Sequence, residues 1–99
     1  MDLRAIQARI EEKYGPGDQE MGVPFLCMVL MEEVGELSEA ARKGDRENIG
    51  KEAVDVLFMA LAIANRAGID AEAQLRAKFL DRDLKEVAKT WDDVSWKRE

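Results

Sequence analysis

The chain has 99 residues, 46% hydrophobic and 36% charged, with seven Gly and two Pro, a balance that excludes intrinsic disorder and fits one helix-rich domain whose small core gains from association. A net charge of −6 and a pI near 4.7 repel polyphosphate backbones and argue against a general nucleic-acid binder. Cys27 is the single cysteine, so an internal disulfide is excluded, and an opening stretch that mixes charges throughout points to the cytoplasm rather than to secretion.

No alternating strand pattern is present, and the punctuation of the chain predicts an all-α fold of four helices. The first covers about residues 2–14, with Leu3, Ile6 and Ile10 at helical spacing, and is expected to end at the breaker Gly15-Pro16-Gly17. Pro24 suits the first turn of a second helix, about residues 24–43, which stops at Gly44-Asp45. Asp45 caps a third, about residues 46–67, terminated by Gly68. Asp70 caps a fourth, about residues 71–89, with Leu75, Phe79 and Leu84 toward its buried side, and a polar tail follows at about residues 91–99. The expected protomer is a single four-helix bundle-like domain spanning residues 1–99. The longest apolar run, residues 56–64, is nine residues, far short of the about 20 that cross a membrane. Being apolar on all sides, it must be surrounded, by its own chain and by a second subunit, so a dimer or tetramer is expected.

The second and third helices raise a physical problem. At ~100° per residue, Leu26, Val29, Leu30, Val34, Leu37, Ala40 and Ala41 share an arc of the second helix, and Glu33 falls inside it with Glu36 on its edge. Glu32 and Glu39 lie just outside. A carboxylate on an apolar face needs a basic side chain, a proton or a metal ion to compensate it. On the third helix Glu52 and Asp55 are three apart and share a face at the head of the buried run.

The short turn makes these two helices an antiparallel hairpin, in which Glu36 and Glu52 stand at similar heights. Glu33, Glu36, Glu52 and Asp55 can then converge, and a divalent cation relieves their repulsion. With no histidine and one cysteine, the donors are all oxygen, which favours Mg²⁺ or Mn²⁺ over structural zinc. The competing reading is a plain bundle whose acids pair with Lys43, Arg46, Lys51 or Arg66.

Glu32-Glu33-Val34-Gly35-Glu36, fifteen intervening residues and Glu52-Ala53-Val54-Asp55 resemble the EExxE…ExxD signature of the MazG-like, all-α nucleoside triphosphate pyrophosphohydrolases. The likeness runs from about Phe25 to Asp70 and more loosely to Arg82. It implies that Glu33, Glu36, Glu52 and Asp55 bind Mg²⁺, that Glu32 is an auxiliary ligand or a base orienting the attacking water, with Glu33 also catalytic, and that a (deoxy)nucleoside triphosphate is cleaved between its α and β phosphates. Lys78 and Arg82, four apart, match a Lys and a basic residue often found there in relatives and could hold phosphate oxygens, and Asn65 falls where some relatives place a polar residue near the nucleotide. Acids beside Lys78 and Arg82 depart from the pattern, and base preference stays open. Two alternatives remain: a narrower hydrolase acting on dUTP, dCTP or phosphoribosyl-ATP, and a non-enzymatic helical interaction module with an acidic cluster.

Overall fold

A computed structural model describes residues 1–91; the tail expected at about 91–99 lies, after Trp91, outside the described residues. Every regular element among the described residues is helical. The chain divides into two compact units, Met1–Ile69 and the part from Asp70 onward.

The first unit holds α1 (Leu3–Met21), α2 (Val23–Lys43) and α3 (Arg46–Arg66). Asp2 caps α1, its carboxylate accepting from the Ala5 N–H at 2.8 Å. The expected end at Gly15-Pro16-Gly17 is not observed: α1 runs through all three residues and stops at Gly22, whose φ is 89°. Interior proline costs a helix about 3 kcal/mol, so packing must offset it. Gly15 is buried, and a Cβ there would lie 2.5 Å from Glu11 Oε2. The missing side chain makes room for the Glu11 carboxylate, which pairs with Arg66 of α3. Tyr14 adds an edge-on contact with Phe58, the ring centroids 5.0 Å apart.

Pro24 sits in the first turn of α2, and Gly44 ends the helix in the left-handed conformation at φ 68°. Asp45 then caps α3, accepting from the Asn48 N–H at 3.2 Å and from Asn48 Nδ2 at 2.8 Å. The two-residue link folds α2 and α3 into the expected antiparallel hairpin, and α1 packs chiefly on α3. Leu26, Ala40, Met59, Leu61 and Ala62 are its buried apolar residues.

Asn65 ties α1 to the end of α3. Its Oδ1 accepts from Gln7 Nε2 at 2.8 Å, its Nδ2 donates to the Gln7 carbonyl at 3.0 Å, and Gln7 Nε2 also reaches the Ile69 carbonyl at 2.8 Å. Gln7 is buried, so losing a partner leaves its amide desolvated. Asn65→Ala is expected to destabilise the protein by about 1–2 kcal/mol, a fall in Tm of roughly 5–10 °C. Thermal melting checks this, and a lowered KM-based specificity with unchanged Tm would instead restore Asn65 to the nucleotide.

The second unit corrects the expected fourth helix. Residues 71–89 are not one rod: α4 (Ala71–Leu75) passes into a π-helical turn (Arg76–Leu80), the helix breaks after Asp81, and α5 (Leu84–Lys89) restarts. The Asp81 N–H closes the wide turn on the Arg76 carbonyl at 2.8 Å. Asp83 is extended, with ψ 145°, and stands at the N-cap of α5. Aspartate favours such starting positions over helix interiors, a signal hidden by the absence of Gly or Pro.

No helix among the described residues is long and apolar enough to cross a membrane. In the single chain the apolar run of α3 is not surrounded. Within it Leu57 is 52% exposed, Val54 just before it is 62% exposed, and Met28 and Met31 of α2 are 62% and 73% exposed.

Candidate functional site

Three-residue spacing on two facing helices brings the acids together as the hairpin predicts. One carboxylate oxygen from each of Glu33, Glu36 and Glu52 lies within 4.8 Å of the others. Asp55 flanks this trio and lines a recess together with Glu33. Glu33 and Glu52 are half-buried, whereas Glu36 and Asp55 are exposed.

Salt bridges do not account for the cluster. Lys43 pairs with Glu39 at 2.8 Å, Lys51 with Glu47 at 3.6 Å, and Arg66 with Glu11. Among the described residues no ion pair reaches the four acids. Instead the acids act on one another. Hydrogen bonding to the Glu36 carboxyl is the first cause that pushes Glu52 up to about 7; burial and the charges of Glu36, Asp55 and Glu33 add to it. Glu33 is raised above its ordinary value, first by burial and then by the charges of Glu36 and Asp55.

Glu33 Oε2 and Glu52 Oε2 are buried without a hydrogen-bond partner. Orphaned carboxylate oxygens are costly unless something compensates them. An all-oxygen set at this spacing suits a hard divalent cation, whose opposed ligands lie about 4.2 Å apart at Mg²⁺ bond lengths. The residues present therefore fit such an ion.

Other expected residues lie elsewhere. Glu32 is exposed and lines an apolar recess with Pro24, Cys27, Met28 and Met31. It is removed from the trio because consecutive residues diverge by ~100° around a helix. Asn65 is committed to Gln7, as described. Lys78 belongs to the π-helical turn, its Nζ 5.3 Å from the Phe79 ring centre. Arg82 lies in the break and donates to the Glu86 carbonyl at 3.2 Å. The expected shared helical face of Lys78 and Arg82 is thus lost.

Two recesses adjoin the acids. Nearer the turn, a cleft of about 280 Å³ is lined by Glu36, Glu39, Ala40, Lys43, Asp45, Asn48 and Glu52. Farther from it, one of about 200 Å³ is lined by Glu33, Asp55, Phe58 and Met59. Sequence reasoning took Lys43 only as a possible salt-bridge partner and missed Asn48. The one available signal was Asp45-x-x-Asn48 at a helix start, which reads first as capping.

Comparison with known proteins decides the family. The model of the phosphoribosyl-ATP pyrophosphohydrolase family matches residues 3–82. The chain belongs to this family. The matched span takes in Glu33, Glu36, Glu52 and Asp55, and the membership agrees with the broader MazG-like resemblance. A phosphoribosyl-ATP pyrophosphatase of Methanopyrus kandleri is 36% identical over 53 residues, which cover 54% of this chain and 53% of the relative. The chain thus spans about half the length of the curated relative it matches.

Proposed function

We propose that this protein hydrolyses phosphoribosyl-ATP to phosphoribosyl-AMP and pyrophosphate, with Glu33, Glu36, Glu52 and Asp55 as the carboxylates that hold Mg²⁺, or Mn²⁺ in its place. The observation that carries the chemistry is the meeting of Glu33, Glu36 and Glu52 with two buried oxygens left unpartnered. Family membership and the Methanopyrus relative favour phosphoribosyl-ATP, the narrower of the two enzymatic alternatives, over a broad (deoxy)nucleoside triphosphate substrate.

When bound, the ion neutralises phosphate oxygens and lowers the pKa of a coordinated water. The chain supplies the rest. Glu36 and Glu52 give the site anionic donors from facing helices, and Glu52 must release its proton to serve, which makes loading depend on pH. Glu33, half-buried on the side of the trio toward Asp55, is assigned the proton of the attacking water. Glu32 keeps no role in this scheme, because its side chain lines a different surface.

The decisive experiment incubates the protein and Mg²⁺ with phosphoribosyl-ATP, ATP and a panel of deoxynucleoside triphosphates. Phosphoribosyl-ATP should be consumed with release of pyrophosphate. Preferential loss of the deoxynucleotides would return the protein to the broader substrate class, and loss of none would leave a non-catalytic acidic cluster.

The assembly proposed is a homodimer or homotetramer in the cytoplasm, because Val54, Leu57, Met28 and Met31 leave apolar surface on both hairpin helices. Light scattering should give a multiple of the 11.2 kDa chain mass, and Leu57→Asp should shift it toward the monomer. A monomeric wild type would overturn the assembly.

A further inference from the structure

We infer that Lys43 and Asn48 hold the leaving, pyrophosphate end of the substrate, in the cleft on the turn side of the acidic trio. The inference rests on the proposed pyrophosphohydrolase reading and gives that reaction a direction along the hairpin.

Glu36 and Glu52 belong both to the trio and to the wall of this cleft. Whatever part of a substrate fills the cleft therefore abuts the reacting phosphates. Glu39 and Asp45, which also line it, are already engaged. Glu39 pairs with Lys43 Nζ at 2.8 Å, and Asp45 accepts from Asn48 through both carboxylate oxygens. Each acid acts as a tether that keeps a donor at the rim. A lysine ammonium has three N–H donors and an asparagine amide two, and in each one is spent on the tether. The rest are free to bind, and they suit anionic oxygens.

Glu39 also raises the Lys43 amine above its ordinary value, so Lys43 stays charged. Asp45 opens the 21-residue helix α3, whose first turn adds a favourable field for an anion. The recess beyond the acids contrasts with this cleft. Phe58 and Met59 line it and no cation is among its described residues. A phosphate chain with a nucleoside at one end and two free phosphates at the other is matched by this asymmetry, with the free phosphates toward Lys43. Lys43 and Asn48 are exposed, so replacing them leaves the core intact.

The test measures Mg²⁺-dependent binding of pyrophosphate and, separately, of AMP by calorimetry, in the wild type and in Lys43→Ala, Lys43→Arg and Asn48→Ala, after pyrophosphate release from phosphoribosyl-ATP has been assayed for each. Lys43→Ala should weaken pyrophosphate about tenfold and Asn48→Ala about threefold, with AMP affinity unchanged and Lys43→Arg close to wild type. KM should rise more than kcat falls. If the wild type is active but pyrophosphate binds every variant equally, or AMP is weakened as much, the assignment of the cleft is wrong while the hydrolase reading stands. A wild type that releases no pyrophosphate removes both.

Discussion

Glu52→Gln is expected to lower pyrophosphate release at least about 100-fold, since even groups that merely support metal ligands cost 10–100-fold when lost, while the metal-free protein melts at the same temperature or higher. The two halves of this result have one cause. Glu52 stands against Glu36, Glu33 and Asp55, and hydrogen bonding, burial and their charges together lift its pKa to about 7. Glutamine keeps the shape, removes the anion that a cation needs, and can donate from its amide to the Glu36 carboxylate. The pyrophosphate assay and a melt without divalent ions read the two effects separately. Activity retained within a fewfold would remove Glu52 from the site, and a large fall in Tm would make it a structural residue.

The second result concerns pH. Metal-free protein should lose stability as pH rises from about 4.5 to about 7. A carboxyl whose folded pKa is raised binds more protons in the folded than in the unfolded state between the two values, so the slope of stability with pH is negative there. Glu52 sets the window, from its ordinary 4.5 to about 7, and the upward shift of Glu33 acts in the same direction. The exposed Glu39–Lys43 pair does not interfere. Glu39 is lowered by Lys43, so its contribution is lost only on acidification below the usual glutamate range, and that of Lys43 only above the usual lysine value. Excess Mg²⁺ competes with the same protons, so the rise in Tm that it produces should grow from pH 5.5 to pH 8. Melts at each pH with and without Mg²⁺ decide the matter. A Mg²⁺ effect independent of pH would separate ion binding from this cluster.

The hairpin was legible because its signals are local. Pro24, Gly44-Asp45 and Gly68 act through backbone geometry within one or two residues, and they place the ends of α2 and α3 where the structure has them. The convergence of Glu33, Glu36 and Glu52 followed from helical spacing and a short turn. What was not legible depends on partners distant along the chain. Nothing near Gly15-Pro16-Gly17 announces that Arg66, more than fifty residues on, will pair with Glu11 and that a helix will continue through the breaker. The tie of Asn65 to α1 was hidden for the same reason, since its two bonds run to Gln7. The break at residues 81–83 has a local cause, but Asp-Arg-Asp without Gly or Pro is a weak one. Substrate choice was hidden more deeply: an acidic cluster of this kind would suit any triphosphate, and the narrower proposal rests on likeness to the family.

All four acids lie between Glu33 and Asp55, on either side of a link of only Gly44 and Asp45. The four acids proposed to handle phosphate therefore form a nearly self-contained cartridge of neighbouring sequence, formed by short-range zippering rather than by a long loop closure. On the proposed reading, substitutions outside this hairpin would leave the spacing of the four acids, and with it the proposed ion site, in place.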